Sequence, residues 1–207
     1  MFDFGIDGYR PYWLTALAEM RREHGDRLAA LVGRRLTATR LMWDLDSDEW
    51  WSDGPVVLGF EDEQVEINHQ KFAELSITWN SIDTDRAPAV RGFRLGWRDD
   101  VPCELVALRG RRLSSVVFLQ WRGEEGDVAD GTCALHFDFA QGGSVTVANG
   151  LDENHLDFGV PESRWRRYPT SVRGRTCAQP VDNPVDNLWT SLRSVRPAGA
   201  ESNPPRQ

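Results

Sequence analysis

Residues 28–36 read LAALVGRRL and residues 105–113 read LVALRGRRL, and this near-repeat decides how the chain is organised. Seven of the nine positions are identical, at a spacing of 105 − 28 = 77 residues. A repeat at a fixed spacing points to one structural unit used twice, before any motif is read.

The likeness extends outward from both copies. Residues 36–43 (LTATRLMW) and 113–121 (LSSVVFLQW) are rich in β-branched residues, and each stretch ends on Trp. Residues 54–60 match 131–137 at the same 77-residue spacing. Val65 and Ile67 alternate with polar neighbours, as Val145 and Val147 do, which is the period-two pattern of a half-buried strand. Residues 75–77 (LSI) match 156–158 (LDF), while the intervening turn is three residues longer in the second copy and gains Gly142-Gly143. Spacing that holds along strands and breaks at turns is what a structural repeat produces.

The expected fold is therefore mainly β with peripheral helices, an α+β chain. Two duplicated β-rich units, 26–82 and 103–159, would pack as a pseudo-twofold sandwich or barrel, because meanders of this size do not leave all their edges open. An N-terminal helix is expected within residues 1–25, where Trp13, Leu17, Met20 and His24 form one stripe, Pro11 suits the first turn, and Gly25 ends the helix with Asp26 capping the next turn. Residues 83–102 connect the units, with Phe93, Leu95 and Trp97 alternating as an extra strand. An Arg- and Pro-rich segment at 160–196, including a short helix through Leu188, Leu192 and Val195, packs back on the body, and residues 197–207 form a disordered tail. The whole is expected to be a single compact domain.

Charge and cysteine content narrow the function classes. The chain of 207 residues has a net charge of −8 and a pI near 5.0. Residues 160–207 hold eight Arg against four acidic residues, a net of +4, so residues 1–159 carry −8 − 4 = −12. Such a body opposes general nucleic-acid binding, which depends on neutralising phosphates, and favours a basic protein partner. Cys103, Cys133 and Cys177 form no C-x-x-C pair, no basic-then-apolar leader opens the chain, and no apolar run approaches 18 residues. A reduced, cytoplasmic protein without membrane association is the expectation.

Four groups of residues invite a functional reading. Asp44, Asp46, Asp48 and Glu49 are followed directly by Trp50 and Trp51, and aromatic anchors framed by carboxylates suit a partner-binding patch. The same run fails as a calcium loop, because Glu49 and Pro55 stand where Gly and Glu are required. His69 and Lys71 in one loop, with Asp152 in the matching loop of the other unit, would form the polar groups of a pocket, His69 as general base and Lys71 as anion anchor. His136 and Asp138 share one face of a strand, read as an exposed face and too few for a zinc site. Arg164, Arg166, Arg167, Trp165 and Tyr168 mix cations with aromatics and are expected to dock on the acidic body, with Trp165 as the apolar anchor. No Gly-rich phosphate loop, nucleophile elbow or H-E-x-x-H is present, so neither a cofactor nor a metal is called for.

The leading expectation is an interaction protein of the immunity or antitoxin kind: acidic, β-rich, bacterial, and inhibiting a basic partner by electrostatically steered capture. The alternative is a small-molecule binder or enzyme with an aromatic-lined pocket between the two units.

Overall fold

The computed structural model describes residues 4–170. The helix sought through Leu188–Val195 and the tail at 197–207 lie outside these residues.

The chain builds two antiparallel sheets. The first holds β1 (Leu36–Asp44), β2 (Glu49–Trp50), β3 (Val56–Phe60), β4 (Glu63–Gln70), β5 (Glu74–Trp79) and β6 (Leu95–Arg98). Its strand order is β2-β1-β3-β4-β5, with β6 also pairing with β1. The second holds β7 (Leu113–Trp121), β8 (Cys133–Phe139), β9 (Ser144–Asn149), β10 (Asn154–Phe158) and β11 (Trp165–Pro169), in the order β11-β7-β8-β9-β10. In both sheets a meander, β1-β3-β4-β5 or β7-β8-β9-β10, is joined at its first strand by one that arrives later in the chain, β6 or β11; β2 has no counterpart in the second sheet. β1 and β7 are both nine residues long and bury the same positions in the same order.

The near-repeat itself is where the two sheets meet. Gly33 N–H donates to Leu113 O at 2.8 Å, and Gly110 N–H donates to Leu36 O at 2.8 Å. Leu36 N–H donates to Arg111 O at 2.9 Å, and Leu113 N–H donates to Arg34 O at 2.8 Å. Arg35 reaches Gly110 O while Arg112 reaches Gly33 O. Every bond has a counterpart displaced by 77 residues, and Arg35 and Arg112 face each other in an antiparallel bridge. Gly33 and Gly110 both lie in the left-handed region, with φ of 90° and 84°, which is why Gly recurs in both copies.

Each sheet contributes to one apolar core: Leu58, Phe60, Val65 and Ile67 from the first, Leu135, Phe137, Val145 and Val147 from the second. The Phe60 and Phe137 rings stack with centroids 6.3 Å apart. The outer face of the first sheet is covered by Phe4, Tyr9 and Ile82 packed on Val57. Buried Glu66 is satisfied there by Ser81 N–H, Ile82 N–H and the Gln64 amide.

Two registers and one helix differ from the sequence reading. The ladder places Phe60 opposite Leu36 and Phe139 opposite Leu113, so Phe139 rather than Phe137 is the register counterpart of Phe60. The connection before the second sheet's β8 is two residues longer (139 − 113 = 26 against 60 − 36 = 24), and the local likeness of 54–60 to 131–137 masks this. Likewise Val147 pairs with Leu156 as Ile67 pairs with Ile77, so Leu156 corresponds to Ile77, not Leu75. The helix is α1 (Leu17–Ala29), displaced from the expected span, with residues 11–16 before it and Leu14 bridging Leu75 at the edge of β5. Gly25 does not end it. The glycine lies mid-helix because a Cβ there would stand 2.1 Å from Thr170 O, so a bare backbone is required where β11 ends. The second copy of the near-repeat opens with the single turn α2 (Cys103–Val106).

Candidate functional site: a carboxylate-lined cleft

Three chain segments converge at one end of the sheets: 52–54 after β2, 68–71 at the end of β4, and 149–154 between β9 and β10. Their meeting point is Asn154, which is 2% exposed. Its carbonyl oxygen accepts from His69 N–H at 2.9 Å. Its amide donates toward Ser52 O at 2.9 Å, Gly54 O at 2.8 Å and the Asn68 side-chain oxygen at 2.7 Å. Its own backbone N–H donates to Ser52 O. Around this hub, Asn149 donates to Lys71 O, and the Ser52 hydroxyl donates to Glu153. Backbone groups of the first sheet and its β2–β3 connection are thereby satisfied by one buried side chain from the second sheet, as buried polar groups require.

The convergence leaves a half-open cleft of about 180 Å³ lined by Phe4, Asp53, His69, Gln70, Lys71 and Asp152. His69, Lys71 and Asp152, taken from two distant loops of the sequence, thus share one wall system. Asp53, Gln70 and Phe4 complete it. Asp53 was legible as the last carboxylate of the DLDSDEWWSD run, whereas Phe4 carried no signal.

The charges in the cleft are unequal. Lys71 is held by Glu74 at 2.8 Å. Asp53 and Asp152 have no cationic partner among the described residues. Partial desolvation, then the neighbouring Glu153 and Asp152 carboxylates, push the Asp53 carboxyl above its ordinary range. His69 is fully enclosed; burial pushes its imidazole down to about 4, opposed by the hydrogen bond between Nε2 and Val147 O at 3.3 Å. At neutral pH it is uncharged and a weak proton acceptor.

The acidic run before the Trp pair sits differently. The Asp44 carboxylate accepts from Asp46 N–H and Ser47 N–H, fixing the β1–β2 turn. Asp46 pairs with Arg94 at 2.8 Å, and Asp48 pairs with Arg98 at 2.9 Å while accepting from the Trp43 indole. Glu49 is exposed in β2, opposite Asp44. Trp50 packs against the main core, and Trp51 sets its ring edge on Phe93 at 4.3 Å. The chain compensates much of that run's charge itself.

His136 is fully buried, not on an exposed face: it bonds Thr146 Oγ1 at 2.8 Å and Asp138 at 2.9 Å. The outer face of the second sheet is apolar around it, with Leu119, Ala134 and Ala148 buried together, and burial holds its imidazole below the usual value. Trp165 packs edge-on against Trp121 at 5.0 Å, Arg167 pairs with Asp138, and Arg164 pairs with Glu124, so the Arg-rich stretch enters the second sheet as β11. No group of His, Cys, Asp and Glu among the described residues has the geometry to hold a metal ion. No helix among them is long and apolar enough to cross a membrane.

No family model, no curated protein and no solved structure matches this chain. At the level these observations define, it is a mainly β protein of two antiparallel sheets joined at a repeated Gly-Arg-Arg-Leu segment.

Proposed function

We propose that the protein is a binding protein that captures a basic protein partner through the cleft at Asp53, Asp152 and Glu153. The observation that carries this reading is the uncompensated like charge there. Asp53 and Asp152 stand together with no ion-pair partner, the cleft's Lys71 being held by Glu74, at a cost in stability that a guanidinium or ammonium group from a partner would reverse. The run Asp44–Asp46–Asp48–Glu49 with Trp50 and Trp51 directly precedes Ser52 and Asp53 in the chain and supplies long-range attraction, while Asp46 and Asp48 are matched by Arg94 and Arg98. Recognition is accordingly centred on the far side of the Trp pair.

The alternative of an enzyme or small-molecule binder draws support from the same convergence of His69, Lys71 and Asp152. A weakly basic, enclosed His69 and a Lys71 engaged by Glu74 favour holding a ligand over transferring protons. The reading of the fold that goes with this proposal is a duplicated unit packed as a pseudo-twofold sandwich. It is supported by the reciprocal bonds of residues 33–36 and 110–113 and by the common strand order.

An immunity or antitoxin role is the form of this proposal in which the basic partner is a toxin. Affinity capture from the native host, with wild-type and Asp53→Asn/Asp152→Asn chains as parallel baits, tests it. A basic protein held by the first and lost by the second, which wild type also inhibits in an activity assay, supports the role. Equal retention by both baits removes the cleft from recognition.

A further inference from the structure

A second cleft lies at the opposite kind of chemistry. It is a hollow of about 270 Å³ where β7 ends and β11 begins, lined by Gln120, Trp121, Arg122, Asp130, Gly131 and Arg166. Nearly every arginine of the described residues is committed to a carboxylate or a backbone carbonyl. Arg91, Arg122 and Arg166 are the exceptions, with neither a hydrogen bond nor an ion pair from their guanidinium groups. Two of those three face one hollow.

The corresponding corner of the first sheet shows what is missing. There Arg98, on the flanking strand β6, lies over the Trp43 ring at 4.9 Å, and the Trp43 indole donates to Asp48. In the second sheet Arg164, just before β11, lies over the Trp121 ring at 5.8 Å, and the Trp121 indole donates to Asp127 at 2.9 Å. The Arg98 corner is neutralised by Asp48 and Asp100 at 2.9 and 2.8 Å. At the second corner, Arg164 takes Glu124, and Asp130, which accepts from Gly123 N–H at 2.8 Å, pairs with no arginine. Arg122 and Arg166, both exposed, have no carboxylate partner, and their two charges outnumber the single one of Asp130 in the hollow.

We propose that this cleft binds a phosphate monoester, its dianion lying between the Arg122 and Arg166 guanidinium groups. Two planar donor forks match the charge of about −1.5 to −2 and the three terminal oxygens of such a group. The volume exceeds that of bare phosphate, leaving room for a small organic moiety beside Trp121 and Gln120. The loop 123–131 is already fixed by its bonds from Trp121 and to Asp130, so one wall is preorganised. The site is independent of the acidic cleft and of the reading drawn from it.

The test is calorimetric titration of the full chain with O-phosphoserine at low salt, alongside inorganic phosphate, succinate and serine. The expected result is saturable binding of O-phosphoserine, weaker binding of phosphate, and none of serine. Arg122→Gln and Arg166→Gln should each weaken binding about tenfold, with circular dichroism unchanged, while Arg91→Gln leaves it as it was. Succinate binding as tightly as O-phosphoserine would replace the phosphate assignment by a general carboxylate one. Absence of saturable binding, or equal losses in all three arginine variants, would overturn the site.

Discussion

Replacing Asn154 by Ala should cost more stability than any other single truncation at the cleft. The change removes one side chain and leaves three buried groups unpaired: His69 N–H, Gly54 O and the Asn68 side-chain oxygen. Ser52 O keeps its bond from the residue 154 backbone. Each orphaned buried group costs about 1–3 kcal/mol, so the sum is about 3–5 kcal/mol after partial relaxation. With a urea slope of about 2 kcal/mol/M, the unfolding midpoint should fall by about 2 M. Asn154→Asp is the informative companion. It keeps the acceptor for His69 N–H but turns a carboxylate on three carbonyl-type oxygens, so it should be comparably damaging at pH 7 and recover part of the loss on acidification. A midpoint shift worth less than about 1 kcal/mol for Asn154→Ala would refute the reasoning that this side chain stitches the two sheets.

Three further outcomes follow from the same structure. Asp53 has a folded-state pKa above its unfolded value, so its ionised form costs stability as pH rises past the unfolded value; Asp53→Asn should raise the midpoint at pH 7 by less than about 1 kcal/mol, because the group is exposed, and the gain should vanish at acid pH. His69 shifts the other way: its contribution is complete above the unfolded pKa of 6.5 and is lost as pH falls toward about 4, a loss of about 3 kcal/mol for that shift, so urea midpoints should drop across this window and drop less in His69→Gln. Gly25→Ala, ordinarily favourable in a helix, should destabilise by about 1–3 kcal/mol through overpacking, because the new methyl meets Thr170 O; a midpoint at or above wild type would show that β11 yields to it.

Much of the architecture was written in local pattern. The alternation of Leu75, Ile77 and Trp79, and of Val145 and Val147, marks strands because one face of each meets the core. The near-repeat was legible because Gly33 and Gly110 both need positive φ, but that its two copies join the sheets shows only in their reciprocal backbone bonds. What sequence concealed were facts of distance. Gly25 looks like a helix end until Thr170, 145 residues later, is seen to approach it. His136 looks exposed until the outer face of its sheet proves to be apolar. At the site, matching the loops of the two copies raised a meeting of His69, Lys71 and Asp152 as the alternative reading, and the shared cleft is visible only in the structure. The weakening of the Asp44–Glu49 patch left no local trace, since Arg98 of β6 and Arg94 just before it reach the patch from some 50 residues away.

Capture of a cationic group at Asp53 and Asp152 is tested most directly by titrating an isotopically labelled chain with an Arg-rich peptide and following amide resonances. Saturable shifts are expected at Asp53, His69 to Lys71 and Asp152 to Asn154, weakened by salt and by Asp53→Asn/Asp152→Asn, and retained in Asp46→Asn/Asp48→Asn. Shifts confined to the β1–β2 turn and abolished by Asp46→Asn/Asp48→Asn would contradict it.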